Sequence, residues 1–191
     1  MLGNGLYEAG NYADALPVHE AVVAAMRRLG ESEHAILTAQ GNLASTYSRL
    51  GRIEQALQIE RDVYSGHLKL NGKESFETII AANNCGSSLV ELRRCEEAKP
   101  LLLKMIPVAR RVLGDNAENT IRMRWNYAEA LYKDEAATLD DVREAVTTLE
   151  DIARTTRRVF GGAHPTTTDI ERVLRNARTA LRIRETLSGS S

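Results

Sequence analysis

Three asparagines, Asn42, Asn84 and Asn126, recur at intervals of 42 residues. A side-chain amide both donates and accepts hydrogen bonds, so a row of amides can grip the backbone of an extended peptide whatever its sequence. The same amides can instead bond neighbouring helices and only set how the repeats stack. Asparagine is a poor helix-interior residue by propensity, so either role asks for a reason beyond the helix itself. Each asparagine belongs to a set at helical spacing. The sets are Thr38, Asn42, Ser45 and Arg49, then Ile80, Asn84, Ser87 and Glu91, then Arg122, Asn126, Glu129 and Lys133. Positions i, i+4, i+7 and i+11 fall nearly on one line of a helix, here the line facing away from the apolar residues. Trp125, the only tryptophan, lies beside Asn126 and serves either as an interface anchor or as half-buried packing. Arg49, Arg122 and Lys133 against Glu91 and Glu129 make the stripes mixed and slightly basic, which suits an acidic ligand or a terminal carboxylate.

Little else in the sequence could do chemistry. There is no Gly-rich phosphate loop, His-Glu-x-x-His helix, zinc-spaced cysteine pair or nucleophile elbow. His19, His34, His67 and His164 fall at different places in the repeat. Cys85 and Cys95 sit inside helical patterns and read as buried free thiols. No catalytic residue, metal site or cofactor is expected, and the chain reads as a non-enzyme.

Charge narrows the partners. The net charge of −1 argues against a whole-molecule nucleic-acid binder. Residues 154–184, however, carry eight arginines against Asp169 and Glu171. Arg172, Arg175, Arg178 and Arg182 read first as a solvated face, next as a dock for a protein, and last as a contact for nucleic acid or anionic lipid. No apolar run approaches the ~18 residues of a membrane span, and the first residues lack the pattern of a signal peptide. A cytoplasmic protein is expected.

The elements that position these side chains follow from internal repetition. Gly10-Asn11-Tyr12-Ala13-Asp14-Ala15-Leu16 aligns with Gly51-Arg52-Ile53-Glu54-Gln55-Ala56-Leu57. A third copy runs from Arg93 to Lys99, and a looser fourth from Leu139 to Val146. The marker alanines 15, 56, 98 and 145 are 41, 42 and 47 residues apart, the extra five falling in a loop near Ala136–Asp141. Leu29-Gly30, Leu70-Asn71-Gly72, Leu113-Gly114 and Phe160-Gly161 keep the same register as helix stops. Asn42-Leu43-Ala44, Asn84-Cys85-Gly86 and Asn126-Tyr127-Ala128 supply a third marker in phase. Each unit therefore reads as a helix A, a short turn, a helix B and a Gly-containing loop. Helix A is expected over 34–49, 75–92 and 116–133, and helix B over 12–29, 53–70, 95–113 and 141–159. Pro17 and Pro100 fall early in their B helices, and Pro107, deeper, is expected to bend its helix. In register, Leu2-Gly3 matches Leu43-Ala44, which places the start of the chain midway along a helix A and suggests a fragment of a longer array.

This pattern, Leu-Gly, then Asn-Leu-Ala, Tyr, Gly, Glu-Ala and Pro, resembles the long tetratricopeptide repeats (TPR) of kinesin light chains and related scaffold proteins. The resemblance covers the chain to about residue 175 and departs from it at Arg93, in place of the turn glycine, and at Lys133-Asp134-Glu135. It implies an all-α, right-handed superhelical solenoid of antiparallel helix pairs, with about 3.5–4 repeats and a C-terminal capping helix. The expected organisation is one domain over 1–187, with repeats near 1–30, 31–72, 73–114 and 115–161. A capping helix at 164–187 would bury Ile170, Val173, Leu174, Ala177 and Leu181, ahead of a flexible tail at 188–191. The resemblance further implies that the A helices line a concave groove, so that the three stripes join and their asparagines clamp a peptide. The expected function is a non-catalytic scaffold binding a partner segment there. The alternative is a structural array that forms a homodimer or docks within a longer parent chain.

Overall fold

The computed structural model describes residues 2–188, and every element among them is an α-helix. Of the expected tail, residues 189–191 lie outside the described residues. The chain divides into two compact units, Met1–Leu92 and Arg93–Ser191.

The first unit holds α1 (Leu2–Glu8), α2 (Tyr12–Leu29), α3 (Glu33–Arg49), α4 (Ile53–Asn71) and α5 (Phe76–Glu91). Each packs on its neighbour in chain order, as a helical repeat requires. Two A helices start at serines that the chain supplies as caps. The Ser32 hydroxyl accepts from the Ala35 N–H at 3.3 Å, and the Ser75 hydroxyl from the Thr78 N–H at 3.1 Å. Those bonds satisfy donors that the first turn of a helix leaves free. Ala15 and Ala56 are fully buried, and Ala44 and Gly86 are buried as well, so small residues stand where helices approach most closely. The larger apolar side chains gather in two clusters, one of Leu16, Val23, Ala39 and Leu43 and one of Leu37, Val63 and Ala81.

The second unit holds α6 (Cys95–Leu113), α7 (Glu118–Lys133), α8 (Leu139–Val159) and α9 (Pro165–Ser188). Here α7 packs between α6 and α8, while α9 lies on α8 and also reaches α7. One core joins Ala128 and Leu131 of α7, Leu149 and Ile152 of α8, and Ile170, Val173, Leu174 and Ala177 of α9. Leu181 packs against its edge, so all five residues expected to line the inner face of the last helix do so. Helix α6 continues unbroken through Pro100 and Pro107, both exposed, where solvent can take the carbonyls they leave without donors.

The helix limits agree with the sequence reading to within a turn. The extra residues of the last repeat form the loop between Lys133 and Leu139, and Asp134 anchors it. Its carboxylate takes Lys99 Nζ at 2.7 Å and the Ala136 N–H at 3.0 Å, and these bonds hold its pKa below the usual carboxylate range. A Thr138–Asp141 capping box then opens α8. Arg93, at the turn position of Gly10 and Gly51, adopts the same left-handed backbone (φ 60°) as those glycines (80° and 73°).

Candidate functional site

In the first unit, the stripe on α3 sits where two clefts meet. A polar cleft of about 230 Å³ is lined by Asn4, Tyr7, Glu8, His19, Asn42 and Ser45. An apolar cleft of about 730 Å³, walled by Leu2, Val18, Val22, Met26 and Ala39, shares Asn4, His19 and Asn42 with it. Asn42 is half-buried, and its side-chain amide bonds no other described residue. The flanking hydroxyls are used locally. Thr38 donates to the His34 carbonyl and Ser45 to the Gly41 carbonyl, each at 3.0 Å, which leaves their oxygens as acceptors only.

His19 braces this junction from below. It is buried, with Nδ1 2.8 Å from Thr46 Oγ1 and Nε2 3.1 Å from Asn4 Oδ1. Burial pushes its pKa down and favours the neutral ring. At the far end of the stripe Arg49 is exposed yet held. Its Nε donates to the Tyr7 hydroxyl at 3.4 Å, and its guanidinium lies 5.7 Å from the centre of the Tyr12 ring. On α5, Asn84 is half-buried with an amide bonded to no described residue, Ile80 is half-buried, and Ser87 and Glu91 are exposed.

The second unit treats its stripe differently. Arg122 pairs with Glu118 at 3.0 Å and Lys133 with Glu129 at 2.6 Å, so its cations are neutralised on their own helix. Asn126 is only 9% exposed, unlike Asn42 and Asn84, on a helix that carries both α8 and α9. Trp125 is half-buried against the core, and its indole N–H is buried without a hydrogen-bond partner. The cysteines are both buried free thiols, and burial pushes the Cys95 thiol pKa up.

Sequence reasoning missed Asn4, Tyr7, Glu8 and His19. A signal for two of them was present: the offset of 41 residues between Ala15 and Ala56, applied backwards, carries Ser45 onto Asn4 and Arg49 onto Glu8. Among the described residues no group of three or more His, Cys, Asp or Glu side chains is placed to hold a metal. Nor is any of their helices long and apolar enough to cross a membrane.

Comparison with known proteins agrees with this architecture. Residues 1–68 match one sequence profile of the tetratricopeptide repeat, and residues 78–116 match a second. Among curated proteins none matches the chain in sequence. Two crystal structures of a kinesin-light-chain-type protein from Podosopora anserina, with nearly identical TPR-like repeats, superpose with TM-scores of 0.76 and 0.74. Each is 21% identical and covers 98% of this chain and 87% of its own. BtubC (BKLC) from P. vanneervenii superposes with a TM-score of 0.71 at 16% identity, covering 97% of this chain and 73% of its own. At such identities the likeness is one of fold.

Proposed function

The chain belongs to the tetratricopeptide repeat family, and we propose that it is a non-catalytic scaffold whose A helices grip an extended segment of a partner protein. Repeats of this family generally mediate protein–protein interaction, and a specific contact surface is what the proposal adds. The observation that carries it is the state of the Asn42 amide, which is unbonded and stands where a polar cleft meets an apolar one. An amide so placed can bond one peptide unit of a ligand in both directions. The apolar cleft beside it takes a neighbouring side chain of that ligand, and Arg49 supplies a fixed cation for a carboxylate. Asn84 offers a second unbonded amide on α5.

The test is to select peptides from a random displayed library against the intact chain, then map them by photo-crosslinking from a reactive group at Ser45. Crosslinks from Ser45 to the selected peptides, competed by unlabelled peptide, support the proposal. Peptides that bind without crosslinking there, or a library that yields none, contradict it. Self-association without a free ligand is the rival account, and light scattering at two protein concentrations reads it directly.

A further inference from the structure

The last helix breaks the repeat at a point that matters for what it can bind. Aligning Phe160-Gly161 with Leu113-Gly114 sets Val173-Leu174-Arg175 of α9 on Asn126-Tyr127-Ala128 of α7, and Arg178 on Leu131. On α7 these positions receive the next helix. Ala128 and Leu131 are buried in the shared core, the Tyr127 hydroxyl donates to Glu144 of α8 at 3.1 Å, and Arg124 donates to Asp151 of α8 at 2.7 Å. On α9 Val173 and Leu174 are buried in the core, but the face carrying Arg175 and Arg178 is open. It forms one wall of a cleft of about 740 Å³ whose other wall is α8, lined by five arginines and two glutamates.

The arginines are unequally satisfied. Arg178 donates to Glu150 at 2.7 Å, and Arg157 pairs with Glu171. Arg154 reaches Asp151 at 3.4 Å, a carboxylate that Arg124 already holds. Arg158 meets only the neutral Asn116 side chain, at 3.4 Å, and the Arg175 guanidinium has no partner among the described residues. The cleft thus keeps unspent positive charge over a floor containing Leu174 and Ala153, each 8% exposed.

We propose that the cleft between α8 and α9 binds a carboxylate-rich helical segment of a partner protein, laid on α9 as α8 is laid on α7. The chain itself supplies the precedent, since α8 brings Asp151 and Glu144 to meet α7. Arg175 in place of alanine holds the visiting backbone further out and replaces close packing with charge-assisted hydrogen bonds. The remaining chemistry selects a protein over other polyanions. No aromatic ring lines the cleft to stack a base. A concave cleft does not fit a flat lipid surface. This site is separate from the stripe on α3, and its test does not depend on that reading.

The experiment measures binding of a labelled helical glutamate–alanine peptide to the intact chain across a salt series. The expected result is measurable binding that weakens steeply with salt and falls at least tenfold in an Arg158→Glu, Arg175→Glu variant of unchanged melting temperature. Lys104→Gln, an exposed position of α6 outside both this cleft and the α3 stripe, leaves the affinity unchanged. Should the variant itself unfold, Arg158→Gln with Arg175→Gln gives the same readout without adding carboxylates. Absence of binding by the wild type, or equal binding by the folded variants, overturns the proposal. So does tighter binding of a single-stranded oligonucleotide or of phosphatidylserine vesicles through the same arginines.

Discussion

Arg49 donates through Nε to the Tyr7 hydroxyl at 3.4 Å, so a cation on α3 is steadied by a ring from α1. Together with the Tyr12 ring this reduces the side-chain entropy that Arg49 loses when it meets a ligand carboxylate. Tyr7→Phe is expected to weaken binding of a display-selected acidic peptide by about 3-fold, and Arg49→Gln by about 10-fold or more, in keeping with a charged hydrogen bond. Titration by fluorescence anisotropy reads both. Equal affinities for the wild type and both variants would show that the ligand does not use this cation.

Arg93 carries a left-handed backbone that its neighbours in the repeat assign to glycine. Its side chain recovers part of the cost by donating to the Lys133 carbonyl at 3.2 Å, an exposed bond. Non-glycine residues lose about 1–2 kcal/mol in this conformation, and glycine loses about 0.5–1 kcal/mol in chain entropy. Arg93→Gly should therefore be neutral to stabilising by about 0.5 kcal/mol, and Arg93→Val destabilising by more than about 1 kcal/mol. Urea denaturation of the two variants checks the sign, and the reverse order would contradict the strain assigned to this turn.

Glu60 is buried on α4 with Oε2 lacking any hydrogen-bond partner. Burial raises its pKa most, the Glu91 charge adds to that, and a hydrogen bond with Ser88 works against it. A carboxyl whose folded pKa exceeds its unfolded one binds protons more readily when folded, so stability falls as pH rises from about 4.5 through the raised value. Glu60→Gln should remove that slope and raise the melting temperature at neutral pH. A melting temperature that is lower in the variant at pH 7 would show that the charged form is better accommodated than this burial implies.

Ala56 and Ala98 are fully buried at equivalent positions of their repeats. Replacing either with leucine should cost about 1–3 kcal/mol, because the facing helix must move to admit the added atoms. Chemical denaturation of each variant measures this, and a cost below about 0.5 kcal/mol would contradict close apposition of the helices at these alanines.

The sequence disclosed the fold almost completely because its markers are steric and local. Small residues at Ala44, Gly86 and Ala128 and glycines at the turns leave a periodic trace that needs no partner to be read. The left-handed turn at Arg93 was visible only as a departure from that trace. The site was less legible, because equal spacing does not mean equal surroundings. Asn42, Asn84 and Asn126 are indistinguishable by register, yet Asn126 is buried on a helix that also carries α9. Likewise His19 reaches the polar cleft through Thr46 and Asn4, contacts between helices that no spacing along one helix encodes.

The most direct test of the groove is the affinity of a display-selected peptide for the wild type and for an Asn42→Ala, Asn84→Ala variant, with helicity of both verified by circular dichroism. A clamp that bonds the peptide backbone through two amides predicts a loss of at least about 10-fold, roughly 1.4 kcal/mol, in a variant that remains fully helical. Unchanged affinity in the folded variant would contradict the clamp and leave the asparagines as determinants of repeat stacking.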